Sequence, residues 1–157
     1  MTGIPLKSNW IRTRADRSEE LLERTMRAVF SDHLPADQFL KGIFRADRRI
    51  GGRDRRLYSE LIFAVFRWYG LLPHGSAAPA LLLAGAAAAE GLRDPAVQCF
   101  LRDAGLDDTR TEELFEGETP LERLASFRRL AGIPGNTAEA YCIPKWILPN
   151  LDFETDP

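Results

Sequence analysis

The sequence is poor in the residues from which most catalytic and metal sites are built. It has two cysteines and two histidines in 157 residues. Cys99 and Cys142 have no C-x-x-C partner and no histidine at ligand spacing, so no zinc site is implied. Neither His33 nor His74 has a serine, cysteine or acidic residue at a sequence spacing typical of a catalytic motif, so Ser-His-Asp and Cys-His catalysis lack support. There is no G-x-G-x-x-G or P-loop motif for binding a nucleotide.

Long hydrophobic runs are also missing. The one candidate for a membrane segment, residues 77–89, is too short to span a bilayer and is interrupted by Pro79 and Gly85. We therefore predict that it forms a buried helix. The first 14 residues lack the apolar core of a signal peptide. Together with the isolated cysteines, this favours a reducing, cytoplasmic location and no association with a membrane.

Strand patterns are missing as well, because no segment alternates apolar and polar residues over six or more positions. We predict an all-α bundle of about seven or eight helices. Residues 1–17 show no period and are expected to form an extended arm, with Ser18 capping the first helix and Pro35 opening the second. Later helix starts are predicted from three local patterns: Asp94-Pro95, Thr109 with Glu112, and Thr119-Pro120 with Glu122.

The segment from 49 to 70 has the most distinctive pattern in the chain. Gly51-Gly52 break the preceding helix, and Asp54 is a cap or first-turn acid for the next one. Between Asp54 and Tyr69, apolar residues cover all of the helix surface except a narrow stripe, which contains Arg53, Arg56, Glu60 and Arg67. This pattern predicts a helix near the centre of the bundle, in which Glu60 pairs with Arg56 or Arg67.

Charge is distributed unevenly along the chain. Residues 1–75 carry 14 Lys and Arg against 9 Asp and Glu, whereas residues 76–157 carry 7 against 14. Such a split is typical of a protein whose first half faces a polyanion. The excess of positive charge is concentrated in seven residues that we call the basic cluster: Lys41, Arg45, Arg48, Arg49, Arg53, Arg55 and Arg56. Lys41, Arg45 and Arg48 are expected to lie together on one face of a helix.

Guanidinium groups suit phosphate because their planar fork donates two hydrogen bonds at once. The basic cluster therefore contains the candidate RNA-binding residues. The competing interpretation is that these cations are solvated or pair within the fold. Phe63 lies beside the basic stripe and is a weaker candidate for stacking on a base.

The same segment resembles a signature of the RsmB/Sun family of RNA cytosine-5 methyltransferases, in their N-terminal, NusB-like region. The matching residues are Gly52, Asp54, Arg55, Glu60, Leu61, Val65, Arg67 and Trp68. A weaker match lies at residues 144–148, PKWIL, which are similar to the segment where that family passes into its catalytic part.

The resemblance implies a NusB-like helical domain over residues 18–140 that binds RNA, expected to be ribosomal. Residues 141–157 would then be a linker or the start of a catalytic domain that the chain lacks. In the family that domain binds S-adenosylmethionine and uses cysteines in Pro-Cys and Thr-Cys contexts, whereas Cys99 follows Gln98 and Cys142 follows Tyr141. We therefore expect no cofactor site and no methyltransferase activity in this chain alone.

Two alternatives remain open at the level of sequence. The chain could be a stand-alone NusB-like regulatory domain that binds RNA or protein in a transcription complex, or a helical scaffold with no role in nucleic-acid binding. The C-terminal tail crowds Trp146, Ile147, Leu148 and Leu151 beside three prolines, a composition that predicts either weak self-association or packing onto the bundle.

Overall fold

The structure is a computed structural model that describes residues 6–73 and 78–133. Within these ranges it contains seven α-helices, one 3-10 helix and no strand, which confirms the predicted all-α class. The helices are α1 (Leu6–Phe30), α2 (Ala36–Ala46), α3 (Gly52–Trp68), α4 (Pro79–Glu90), α5 (Pro95–Asp103), α6 (Asp108–Leu114) and α7 (Pro120–Leu130), with the 3-10 helix at Tyr69–Leu71.

The centre of the bundle is α4, not α3 as the sequence pattern predicted. Helix α4 packs against α1, α3, α5 and α7, and Ala80 and residues 82–89 are all buried. Leu61 and Val65 of α3 are fully buried, as predicted, but one side of that helix faces solvent. The alanine-rich segment takes the central position because small side chains let four neighbouring helices approach its backbone closely.

Gly85 marks the tightest of these approaches. A Cβ atom at this position would lie 2.6 Å from Leu72 Cδ2 and 2.9 Å from Phe127 Cε1. Both side chains are buried, so glycine at position 85 makes room for the contact between α4 and α7. The prediction that residues 77–89 form a buried helix is confirmed for the part that α4 covers. No helix among the residues described is long and apolar enough to cross a membrane.

Helix starts follow the local signals in two cases of three. Asp94 caps α5 by accepting the N–H of Ala96, and Thr119 with Glu122 forms the predicted capping box of α7. The predicted capping box at Thr109 and Glu112 is wrong. Helix α6 is capped by Asp107, which lies two residues earlier and accepts the N–H of Arg110. Aspartate is among the strongest N-cap residues, so the helix begins there and takes Thr109 into its first turn.

The prediction of an extended arm over residues 1–17 is wrong for residues 6–17, because α1 begins at Leu6. Ser18 is not a cap either: it is buried in the middle of the helix and donates to the carbonyl of Arg14 over 2.9 Å. The inner face of α1 contains the buried polar residues Arg14, Ser18 and Thr25. These residues interrupt the apolar period from which the start of the helix would otherwise be read.

Arg14 is tolerated inside the bundle because two acids surround it. Its Nε lies 2.9 Å from Asp54 Oδ1, and its Nη1 donates to Asp94 Oδ1 over 3.2 Å. Asp54 lies in the first turn of α3, and Asp94 is the cap of α5. A single buried guanidinium therefore ties α1 to the starts of two other helices. The predictions for Cys142, for His74 and for the tail with its boundary near residue 140 concern residues outside the described ranges.

Candidate nucleic-acid interface

The turn between α2 and α3 brings the basic cluster together. Helix α2 ends at Ala46, where Asp47 leaves the helical conformation and its carboxylate accepts the backbone N–H of Arg49 over 3.1 Å. Asp side chains favour turns through this local bond. Arg48 therefore lies in the turn, and the prediction that it shares a face of α2 with Lys41 and Arg45 is wrong for Arg48.

Three members of the basic cluster form ion pairs within the fold, and a fourth, Arg55, bonds to the backbone of the turn. Lys41 lies 3.3 Å from Asp37, Arg49 pairs with Asp47, and Arg56 Nε donates to Glu60 over 2.9 Å. The pairing of Glu60 with Arg56 is one of the two that the sequence predicted. Surface pairs such as the first and third contribute only about 0–1 kcal/mol, so an incoming phosphate can compete with them.

Arg55 has a structural role in the turn. Its Nε donates to the carbonyl of Ile50 over 2.8 Å, and its guanidinium lies 6.0 Å from the centroid of the Phe44 ring. The side chain is half-buried and spans the turn from the start of α3 back to Ile50. We therefore infer that Arg55 stabilises the turn and is not available to bind a ligand.

The other three members, Arg45, Arg48 and Arg53, are exposed and form no hydrogen bond, ion pair or ring contact within residues 6–73 and 78–133. Arg45 lies in the last turn of α2, Arg48 in the turn, and Arg53 in the first turn of α3. The structure thus places three unpaired guanidinium groups around one short connection.

Next to this turn, α1 and the end of α2 form an open groove of about 490 Å³. Its lining is Arg17 and Arg24 from α1 with Ile43, Ala46, Asp47, Arg48 and Arg49 from the end of α2. Sequence reasoning missed Arg17 and Arg24, because no local signal connects them to a turn more than 20 residues away. A groove of this size is in the range of small-ligand sites, about 300–1,000 Å³.

Asp47 joins the two walls of the groove. Its Oδ2 accepts from Arg17 Nη2 over 2.6 Å, and the carboxylate also accepts the Nε and Nη2 of Arg49 over 3.1 and 3.3 Å. The bonds from Arg49, and then the one from Arg17, lower the pKa of Asp47 to about 2. The carboxylate is therefore ionised throughout the physiological range and holds both guanidinium groups in place.

We expect this contact to be lost only in strong acid. Because the pKa of Asp47 is lower in the folded chain than the ordinary value of about 3.9, its contribution to stability is present above about pH 4 and is lost as the pH falls towards 2. A carboxyl ¹³C titration should give a midpoint near 2 for Asp47. In the Arg49→Gln variant the midpoint should move up towards 3.9, and a midpoint near 4 in both proteins would contradict the geometry of this contact.

A second, smaller groove of about 350 Å³ lies between α3 and the end of α4, lined by Ser59, Glu60, Phe63, Arg67, Glu90 and Leu92. Arg67 pairs with Glu90, not with Glu60, and Trp68 Nε1 donates to the same carboxylate over 2.8 Å. Burial raises the pKa of Glu90, but the bonds from Trp68 and Arg67 outweigh it, so the pKa is lowered. Phe63, the weaker stacking candidate, is 37% exposed at this groove.

Among residues 6–73 and 78–133, the other groups capable of chemistry are not brought together into a site. Cys99 is half-buried, and burial raises the pKa of its thiol, which disfavours the nucleophilic thiolate. His33 is exposed in the loop between α1 and α2 with a φ of 54°. In the part of the chain that the structure describes, no three His, Cys, Asp or Glu side chains are grouped so as to hold a metal ion. Comparison of the chain with protein-family models, with curated proteins and with solved structures found no match.

Proposed function

We propose that this helical domain binds RNA through the turn between α2 and α3. The observation that supports the proposal is the grouping around this one turn of three exposed arginines whose side chains have no partner among the described residues, Arg45, Arg48 and Arg53. Cations that serve the fold are paired, as Arg14 and Arg55 are. Cations left unpaired beside one another repel, and a phosphate backbone would neutralise them with release of its counterions.

Following the family resemblance, we further propose that the domain is the RNA-binding, NusB-like region of a cytoplasmic RNA cytosine-5 methyltransferase, with ribosomal RNA as its substrate. The residues of the signature extend over α3, which carries the turn on its N-terminal side. A Rossmann-type site for S-adenosylmethionine needs a strand followed by a glycine-rich turn and a helix. The described residues contain no strand and do not fit such a site, so we derive no methyl-transfer step from this chain.

The proposal is tested by removing the three unpaired arginines of the turn. The Arg45→Gln, Arg48→Gln, Arg53→Gln triple variant should bind a 20-nucleotide single-stranded RNA more weakly at low salt. Loss of three phosphate contacts should reduce the slope of log Kd against log salt by about 2, since each contact on a single strand contributes about 0.7. Fluorescence anisotropy at several salt concentrations measures both quantities.

The matched control is a second triple variant, Arg93→Gln, Arg102→Gln, Arg110→Gln. It removes the same net charge from exposed arginines near α5 and α6, away from the turn. It should keep the parent affinity within about twofold, because its positions lie outside the interface. If the two triple variants lose affinity equally, binding reflects net charge alone; if neither does, the scaffold interpretation stands.

A further inference from the structure

We propose that the groove between α1 and the end of α2 is the seat for one phosphate group, and that Arg17 and Arg24 of α1 bind it together with Arg48 and Arg49. The inference rests on the proposed function in assigning that phosphate to RNA. It extends the function by naming a discrete site on a helix that lies outside the basic cluster.

The groove holds more cations than its acids can satisfy. A carboxylate has about four positions for accepting hydrogen bonds. Asp47 fills four with Arg17 Nη2 and with the backbone N, Nε and Nη2 of Arg49. No position is left for Arg48, which has no other partner among the described residues.

Arg24 adds a fourth guanidinium to the groove. Its one ion pair is with Glu20, in the preceding turn of the same helix, and the Arg24 Nη1 to Glu20 Oε1 distance is 3.2 Å. Its guanidinium also lies 6.0 Å from the centroid of the Phe39 ring of α2. Both side chains of that pair are largely exposed, so the contact contributes little and can be exchanged for a ligand. Four guanidinium groups against two carboxylates leave an excess of two positive charges at the groove.

The chemistry of this site suits a phosphate group better than a carboxylate. Arginines line both walls of the groove, and the oxygens of a phosphate group can accept from several guanidinium groups at once, whereas the two oxygens of a carboxylate are filled by one or two. Asp47 orients Arg17 and Arg49 beforehand, which lowers the ordering cost of binding. The half-buried Ile43 completes the lining with an apolar surface. A phosphodiester of an RNA backbone and a terminal phosphate monoester share this chemistry.

The first experiment follows the arginine side chains with inorganic phosphate as the probe. The Nε–Hε NMR signals of Arg17, Arg24, Arg48 and Arg49 should shift on titration with phosphate at constant ionic strength. The signals of Arg93 and Arg102 serve as controls, because each is an exposed arginine in one ion pair on another part of the bundle. No shift in the groove signals, or equal shifts in the controls, would overturn the inference.

The second experiment uses an RNA hexamer with and without a 5′-phosphate. The Arg17→Gln, Arg24→Gln double variant should bind about fivefold or more weakly, and the Arg93→Gln, Arg102→Gln pair should match the parent. Because Arg17 also holds Asp47, the single variant Arg48→Gln provides a second test: it breaks no bond among the described residues, yet it should weaken binding too. Parent-like affinity in both groove variants would overturn the inference.

The outcomes separate the two proposals and the two sources of phosphate. Equal binding of both hexamers identifies a backbone phosphodiester, and clear preference for the phosphorylated one identifies a terminal monoester. If groove variants leave the hexamers unaffected while loss of Arg45 and Arg53 weakens RNA binding, this inference fails and the proposed function stands. If inorganic phosphate shifts the groove signals but no RNA binds, the phosphate seat stands and the proposed function fails.

Discussion

Replacing Phe127 by alanine should lower the free energy of unfolding by about 3–5 kcal/mol, the usual cost of deleting a buried aromatic ring. Phe127 is fully buried on α7, and its ring packs against α4 at Gly85, where the absence of a Cβ atom leaves room for it. Its removal would leave a cavity in the interface between α7 and the central helix, because the surrounding structure relaxes only partly around a deleted core side chain. Urea unfolding followed by circular dichroism measures the change.

The control for this variant lies on the same helix. Leu121 is 60% exposed, so the Leu121→Ala variant should change the free energy of unfolding by less than about 0.5 kcal/mol. A coupled variant tests the packing directly. Gly85→Ala should destabilise the parent despite alanine's higher helix propensity, because its Cβ meets both Leu72 and the Phe127 ring. The part of the cost that comes from the ring should disappear in the Phe127→Ala background. Strictly additive effects would contradict the close approach.

The second large effect is expected at Arg14. Its side chain is 3% exposed, and the Arg14→Met variant would leave Asp54 and Asp94 close to each other without a cation between them. Breaking a buried pair costs about 3–5 kcal/mol. We expect the lower end of that range, because the two carboxylates keep 28% and 20% of their exposure and can be solvated.

Two further variants test whether the loss of stability in Arg14→Met comes from breaking the ion pairs with Asp54 and Asp94 or from the change in side-chain volume. Arg12 of the same helix is 46% exposed and pairs with Asp16 and Asp103, so Arg12→Met should cost only about 0–1 kcal/mol. Adding Asp54→Asn to Arg14→Met should restore part of the lost stability, since it removes one of the two facing charges. A double variant no more stable than Arg14→Met would show that charge is not the cause.

Local chemistry explains the features that were predicted correctly. The capping box at Thr119 and the Asp94-Pro95 start of α5 act within one turn of helix, so four residues are enough to recognise them. The all-α class follows from period alone, because no segment alternates as a strand must. At Thr109 the same reasoning failed, since Asp107 offered a stronger cap two residues earlier.

The candidate interface was predicted only in outline. The density of arginine between residues 41 and 56 is visible in the sequence, and so is the break at Gly51-Gly52. Which of those arginines are free is not visible, because the answer depends on partners elsewhere. Arg17, 30 residues before Asp47, donates a hydrogen bond to Asp47 Oδ2 and so occupies an acceptor position that Arg48 could otherwise use. Arg55 is removed from the set because its side chain turns back onto Ile50.

By itself, then, the sequence determined the helical class, the starts of α5 and α7 and the position of the positive charge, since each depends on neighbours within a few residues. Tertiary structure decided the rest. It made α4 the central helix, because only its small side chains allow close approach from four sides. It extended α1 back to Leu6, because Asp54 and Asp94 neutralise the buried Arg14. It also brought Arg17 and Arg24 to the turn, because burial and ion pairing act between residues that are close in space, whatever their separation along the chain.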